Sequence, residues 1–367
     1  MTSAAYTNFY QGVASGGEEQ RFRNGGKLDL FMIADTKKLG LWEGGTLIVH
    51  AVDWQIGQNS IDDAAGMAPV NLNLLTPLPE ASFGLTNLLY THKLRGDWVG
   101  QIGRFNALDF WTKLYPDYGR GIDGFMQASL MVPMNIIPSL PKISNVAGIA
   151  KMGERALETA FVVIESQNSP TTAGLDFPNG VSLMGTTAIF TDFRDLPGNH
   201  RLVGAYATGD FTSFDTSGWE IIPEGGVVPT TNSGTWMASY MAEQRLWADP
   251  CNAKRYGKLY GHVGFSDQEN SPYKVTFAVT AEQFGLLDSR PNDRMGIGYF
   301  YSALNDDFKN AYALTTTPVD DLQGGEVYYN AQVTPWFNMT VDLQAVEPAV
   351  QSQDTAVVLG VRANTRF

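Results

Sequence analysis

Apolar and polar residues alternate with period two along most of the chain. The clearest run is Asp354 to Phe367. Thr355, Val357, Leu359, Val361, Ala363, Thr365 and Phe367 hold the odd positions, and Gly360, Arg362, Asn364 and Arg366 hold even ones. Successive side chains of a strand point to opposite faces, so this segment has one apolar face and one face carrying two arginines and an amide. Two more segments repeat the pattern on either side of Thr334-Pro335-Trp336. Val327, Tyr329, Ala331 and Val333 alternate with Glu326, Tyr328, Asn330 and Gln332, and then Phe337, Met339, Val341, Leu343 and Ala345 alternate with Asn338, Thr340, Asp342 and Gln344. A strand wetted on both sides has no need of the apolar face, and one buried on both sides would not tolerate the polar face.

The same reading gives about sixteen strands, near the length a tilted strand needs to cross a bilayer. They lie near 4–13, 26–35, 44–54, 84–93, 97–105, 143–152, 157–167, 184–193, 200–210, 234–246, 255–266, 273–283, 294–304, 325–334, 337–346 and 355–367. Segment 143–152 alternates only loosely. Connections after odd-numbered strands are mostly long (14–25, 55–83, 106–142, 168–183, 211–233, 305–324), and those after even-numbered strands are mostly short, such as Leu94-Arg95-Gly96. Short turns at one rim and long loops at the other mark an outer-membrane barrel. The 267–272 and 284–293 connections break this rule. The expected fold is all-β: one transmembrane antiparallel up-and-down barrel over 1–367, with no internal repeat or linker.

Composition narrows the class. No run approaches the roughly 18 apolar residues of a spanning helix; the richest stretch, Leu130 to Leu140, is broken by Pro133 and Pro138. Aromatics are 12% and charged residues 17% of the chain, with 38 glycines, a balance that suits strands facing lipid. The formal charge of −13, with 25 Lys and Arg, leaves no basic stripe for nucleic acid. Cys251 is the single cysteine, so no intrachain disulfide or cysteine zinc site arises. Met1-Thr-Ser-Ala lacks the features of a signal peptide, and the chain is read as a processed form with an added start Met.

Enzyme chemistry finds little support. His50, His92, His200 and His262 sit on separate strands without metal spacing, no Gly-x-Ser-x-Gly elbow occurs, and Gly40 to Gly45 lacks the Lys-Ser/Thr ending of a phosphate loop. Neither enzyme activity nor a cofactor or metal is expected. The pairs Asp62-Asp63, Asp306-Asp307 and Asp320-Asp321 fall in loops, where solvation explains them better than calcium binding. Competing readings are a general porin, an adhesin or barrel enzyme, and a soluble all-β protein.

Several motifs resemble the carbohydrate-selective porins of the OprB type. They are Met295-Gly296-Ile297-Gly298 with Asn305-Asp306-Asp307, Glu326 to Thr334 with Pro335-Trp336, Asp342-Leu343-Gln344 with Pro348, and Asp354 to Arg362. Thinner matches are Leu39-Gly40-Leu41-Trp42 and Gly103-Arg104-Phe105 with Leu108-Asp109-Phe110. The resemblance implies a sixteen-stranded, often trimeric porin in the bacterial outer membrane that passes glucose-sized sugars passively. Members commonly have a longer segment before the first strand, relatives can carry a basic residue where this chain has Thr340, and the wall at 44–54 is unusually apolar inward, with Ile48 and Val52 beside Thr46 and His50.

In porins the loop corresponding to 106–142 commonly folds into the lumen. Here it carries Asp109, Lys113, Asp117, Arg120 and Asp123 among Trp111, Tyr115 and Tyr118, donors, acceptors and aromatic faces that suit a sugar, and it is the candidate constriction. Alternation turns Lys93, Gln101, Lys258, His262, Glu326, Gln332, Asp342, Gln344, Arg362, Asn364 and Arg366 inward. Arg104 joins the pore-lining set on its motif, although alternation leaves its direction open. Resemblance to outer-membrane proteins makes terminal Phe367 a signal for the barrel-assembly machinery. Expected partners are small sugars, outer-membrane lipid, that machinery and two further copies of the chain.

Overall fold

The computed structural model describes residues 1–53, 60–66, 69–74, 83–116, 122–166, 180–222, 226–314 and 317–367. Its strands, in chain order, are β1 (Thr2–Ser15), β2 (Phe22–Asp35), β3 (Gly45–Asp53), β4 (Phe83–Lys93), β5 (Trp98–Asn106), β6 (Ile143–Met152), β7 (Leu157–Glu165), β8 (Val181–Phe193), β9 (Leu196–Thr212), β10 (Glu220–Ile222), β11 (Gly226–Val228), β12 (Thr231–Asp249), β13 (Asn252–Ser266), β14 (Tyr273–Phe284), β15 (Arg294–Leu304), β16 (Leu322–Thr334), β17 (Phe337–Glu347) and β18 (Ala356–Arg366). All but β10 and β11, a separate hairpin in the loop after β9, form one closed antiparallel barrel. That makes sixteen barrel strands, as alternation and resemblance led one to expect. Closure leaves no unpaired edge, the condition for strands to span hydrocarbon.

Closure is made between β1 and β18, with Phe9 opposite Arg362. Phe367 lies just past the last strand, yet its N–H still donates to Ala4 O at 2.8 Å. Every expected segment falls on a barrel strand, with ends moved by a few residues; Trp54, at the end of the 44–54 segment, lies outside the described residues. The 157–167 segment stops at Glu165, and Gln167 lies outside the described residues. The two irregular connections are real: Asp267 to Pro272 is short, and Gly285 to Asp293 is long. At the β8–β9 turn, Arg194 and Asp195 both adopt positive φ (53° and 61°), the backbone that matches strand twist in a tight hairpin.

The outer face carries branched and aromatic side chains in bands. Ile102, Ile189, Leu202, Ile297, Val341 and Leu359 are exposed around the middle; Trp42, Phe193, Trp247 and Trp336 lie near the short-turn rim, and Tyr10, Phe22, Trp236 and Phe265 toward the other. Two aromatic girdles flanking an apolar band fit a bilayer. The inner face is less polar than a water-filled lumen requires. Phe9, Leu89, Met237, Met241, Tyr260 and Phe300 face inward and are buried, and all but Phe9 join one core with Trp111, Phe125, Leu130 and Met134 of the β5–β6 loop. This explains the loose alternation of β6: Val146 and Ala150 pack inward on that core while Ile149 faces outward.

Candidate functional site

The β5–β6 loop enters the barrel and is tied to its wall across the whole bore. It begins with helix α1 (Ala107–Leu114), capped by Asn106, whose side chain accepts from Leu108 N–H. Helix α2 (Ala128–Met131) and a single 3₁₀ turn at Met134–Ile136 follow, and Leu130 to Leu140 is thereby a lumen plug rather than a membrane span.

Among the described residues, several attachments hold it. On β3, His50 places Nδ1 2.8 Å from Asp109 Oδ2 and Nε2 2.8 Å from Asp29 Oδ1. Asn87 also donates to Asp109, and Lys27 Nζ stands 3.4 Å from Asp29. Across the bore, Arg362 donates to Gly124 O at 2.8 Å, while Arg294 and Arg366 approach Asp123 at 3.6 and 3.3 Å. Glu326 accepts the backbone N–H groups of Met126 and Gln127, one per carboxylate oxygen, both at 2.8 Å. His262 Nε2 lies 3.0 Å from Ser129 O. Last, Asn135 donates to Phe265 O at 2.9 Å and accepts from Ser239 and Thr276 hydroxyls, each at 3.1 Å. Gly264 makes room for it: a Cβ there would sit 2.0 Å from Asn135 Oδ1. Buried polar atoms need partners, and the wall supplies partners for the loop's backbone that water would otherwise provide.

The attachments also link the charges of the wall. Arg294 donates twice to Glu282 Oε1 (2.5 and 2.9 Å), which accepts from Tyr328 OH as well. Lys258 lies 3.3 Å from Glu243 and 3.6 Å from Glu282. Gln344 of β17 donates to Asp342 and to Val70 O, both at 3.0 Å, so residues 69–74 of a second loop rest on the wall and reach the plug. Leu72 N–H donates to Met126 O, and Ala128 N–H to Pro69 O.

The expected pore-lining residues therefore divide. Asp109, Glu326, His262 and Arg362 are holders of the plug, and Asp342 braces them. Lys113 and Gln101 border a cavity of about 180 Å³. Asp123, Gln332 and Arg366 border one of about 320 Å³ toward the short-turn rim, and Lys258 borders one of about 330 Å³. Lys93 ends β4 at the short-turn rim, exposed and away from the plug. Asp117, Tyr118 and Arg120 lie outside the described residues.

Arg104 needs correction. It sits directly opposite Leu88 and two residues on from Ile102, both exposed on the outer wall. Its side chain is thus on the outer face and does not line the lumen. There it is buried and pairs in register with Asn145, which hydrogen-bonds Glu165 at 2.6 Å. The loop carboxylates are also not merely solvated. Arg23 grips Asp63 at 2.7 and 2.8 Å, and Lys309 Nζ lies 2.6 Å from both Asp320 and Asp321. Asp29, Glu282, Arg294 and Asn135 were missed. The first three occupy inward strand positions in Lys27-Leu28-Asp29 and in the runs ending at Glu282 and starting at Arg294, so strict alternation could have found them. Asn135 sits in an irregular loop and left no signal.

Toward the long-loop rim, a cavity of about 780 Å³ is mostly apolar, with Leu108, Trp111, Val132, Ile136 and Ile137 beside Asp62, Asp63 and Lys142. Burial raises Asp62 to about 6 against the hydrogen bonds from Ser60 and Val70. Burial, with Lys27 nearby, lowers Lys142 to about 7. Asp63 is held below the usual range by Arg23 and stays ionised. Lowering the pH from 8 to 5 thus protonates Asp62 and charges Lys142, adding about two positive charges to this mouth. The expected result is a fall in cation preference, read as a shift of reversal potential in a KCl gradient. A reversal potential independent of pH over this range would contradict it.

The comparisons agree with this architecture. A family model described as "Carbohydrate-selective porin, OprB family" matches residues 19–367. Porin B of Pseudomonas aeruginosa is 26% identical over 194 residues, covering 47% of this chain and 42% of that protein's length. The high-pH structure of Pseudomonas putida OprB superposes with TM-score 0.84 at 17% identity, over all of this chain and 94% of that one. The trimer form of OmpT from Vibrio cholerae gives 0.57 at 8% identity, over all of this chain and 98% of its own. The chain belongs to the carbohydrate-selective porin family OprB, and is an outer-membrane porin rather than an enzyme.

Proposed function

We propose that the barrel passes small neutral sugars of the glucose class by passive diffusion, with the 106–142 segment as its constriction. One observation carries this reading. Beside the plug, the inward cations Lys258, Arg294 and Arg366 stand against the carboxylates of Glu243, Glu282 and Asp123. Such a wall offers many donors and acceptors but a weak net field. A polyol can exchange water for these groups, whereas an ion gives up hydration with little compensation. On this reading Lys113, Asp123 and Arg366 meet solute, and Asp109, Lys258, His262, Glu326, Asp342 and Arg362 set the geometry that solute meets.

Uptake into liposomes tests it. Glucose is expected to enter markedly faster than gluconate or glucosamine, which match its size and differ in charge. Equal entry of all three would make the protein a general porin, and no entry from folded protein would remove the channel reading. We also propose that three copies assemble through β1 and β2, whose outward face presents Asn8, Asn24 and Gly26 where neighbouring strands present branched side chains. Phe367, exposed at the end of β18, is proposed as the mark read by the assembly machinery.

A further inference from the structure

We infer that the lumen wall holds a pyranose subsite on the short-turn side of the plug, between the β6–β7 turn and β13. This rests on the sugar-channel reading above and places one binding step within it. The recess there has a volume of about 330 Å³, within the range of small-molecule sites, on the order of 300–1,000 Å³.

Its lining combines what a sugar ring requires. Glu243 offers a carboxylate, 17% exposed, held 3.3 Å from the buried Lys258 ammonium. Arg155 is fixed by both oxygens of Asp192 (2.6 and 2.8 Å) and by Thr191 O at 3.1 Å. The Arg245 guanidinium carbon lies over the Tyr256 ring, 3.8 Å from its centroid, and Tyr256 in turn stacks on Phe284 at 4.3 Å. Asn199 donates to Leu114 O at 3.1 Å and so joins the recess to the end of α1. Phe190 and Pro116 add apolar surface.

Each cation is already oriented by a partner, so little side-chain freedom is lost when hydroxyls bind. Glu243 accepts hydroxyl protons, the guanidinium edges donate to hydroxyl oxygens, and the Phe190 ring covers a C–H face. Arg155 is paired with Asp192 and Lys258 with Glu243, Arg245 sits over the Tyr256 ring, and an anionic sugar meets the Glu243 carboxylate directly. The ligand class is therefore a neutral monosaccharide. Because the recess opens beyond the plug, it is filled from the short-turn side without crossing the constriction.

The test uses the whole protein in planar bilayers with glucose on one side at a time. Glucose on the short-turn side is expected to reduce ion current at lower concentration than glucose on the other side. Glu243→Gln and Phe190→Ala are each expected to raise the half-blocking concentration about tenfold, the first by weakening a charged hydrogen bond and the second by removing an apolar ring contact. Heat-modifiable gel mobility confirms that each variant is a folded barrel. Block that is equal from the two sides, or unchanged in both folded variants, overturns the subsite while glucose uptake by liposomes keeps the channel reading. Absence of both block and uptake overturns the reading on which it rests.

Discussion

Glu326→Ala is expected to widen the passage while leaving the barrel closed. The residue lies on β16, and its two oxygens are the acceptors for consecutive backbone N–H groups of the plug. A buried donor left without a partner costs about 1–3 kcal/mol. Losing both acceptors destabilises the seated plug by about twice that, enough to populate unseated states. The backbone ladder between β16 and β17 does not depend on the Glu326 side chain and is unaffected. Liposomes carrying this variant are expected to admit trisaccharides several times faster than wild type, with higher and noisier single-channel conductance. Glu326→Gln keeps one acceptor and is expected to fall between the two. Unchanged size exclusion in the alanine variant would mean that the segment near Met126 does not limit passage.

The second large effect is expected at His50. Its ring bridges Asp29 of the wall and Asp109 of α1, and Phe31 stacks on it at 4.1 Å. Removing the bridge in His50→Ala leaves two buried carboxylates facing each other beside Lys27. Leaving a buried polar group without its hydrogen-bond partner costs about 1–3 kcal/mol, more for a charged group. The expected readout is a lower unfolding midpoint in denaturant. A double-mutant cycle with Asp109→Asn sharpens it. If the bridge acts as a unit, the double variant is little worse than the worse single one. Strictly additive effects would show that His50 and Asp109 act independently.

The barrel was legible because a closed sheet with lipid outside imposes one rule on every strand. Outward residues must be apolar, and a one-residue slip would expose them to the wrong side. That rule fixed the sixteen segments and the inward direction of Glu326, Asp342 and Arg362, while connection lengths separately sorted the long loops to one rim. It failed where a second layer covers the wall. At β6 the plug makes the inner face as apolar as the outer one, so alternation fades. At Arg104 a charged residue stands on the outer face next to Asn145 and Glu165, and a motif match suggested the lumen instead.

Legibility was lowest for the plug itself. Asp109 and Asp123 were recognisable as candidates because porin loops carry charges inward. Their partners, however, come from β3, β4, β15 and β18, most of them far away in sequence, and meet the loop only after closure. The divided roles of the inward residues also come from that meeting. Arg362 and Arg366 stand on one strand, yet Arg362 is buried against Gly124 while Arg366 reaches an open recess.

The central claim is that the segment between β5 and β6 occupies the lumen and sets what passes. Deleting residues 116–135 and joining the ends with glycines tests it most directly, by comparing uptake of glucose and gluconate in liposomes of equal folded protein content. The account predicts faster uptake of both solutes and loss of the preference for the neutral one. Uptake and preference equal to those of the intact chain would contradict it.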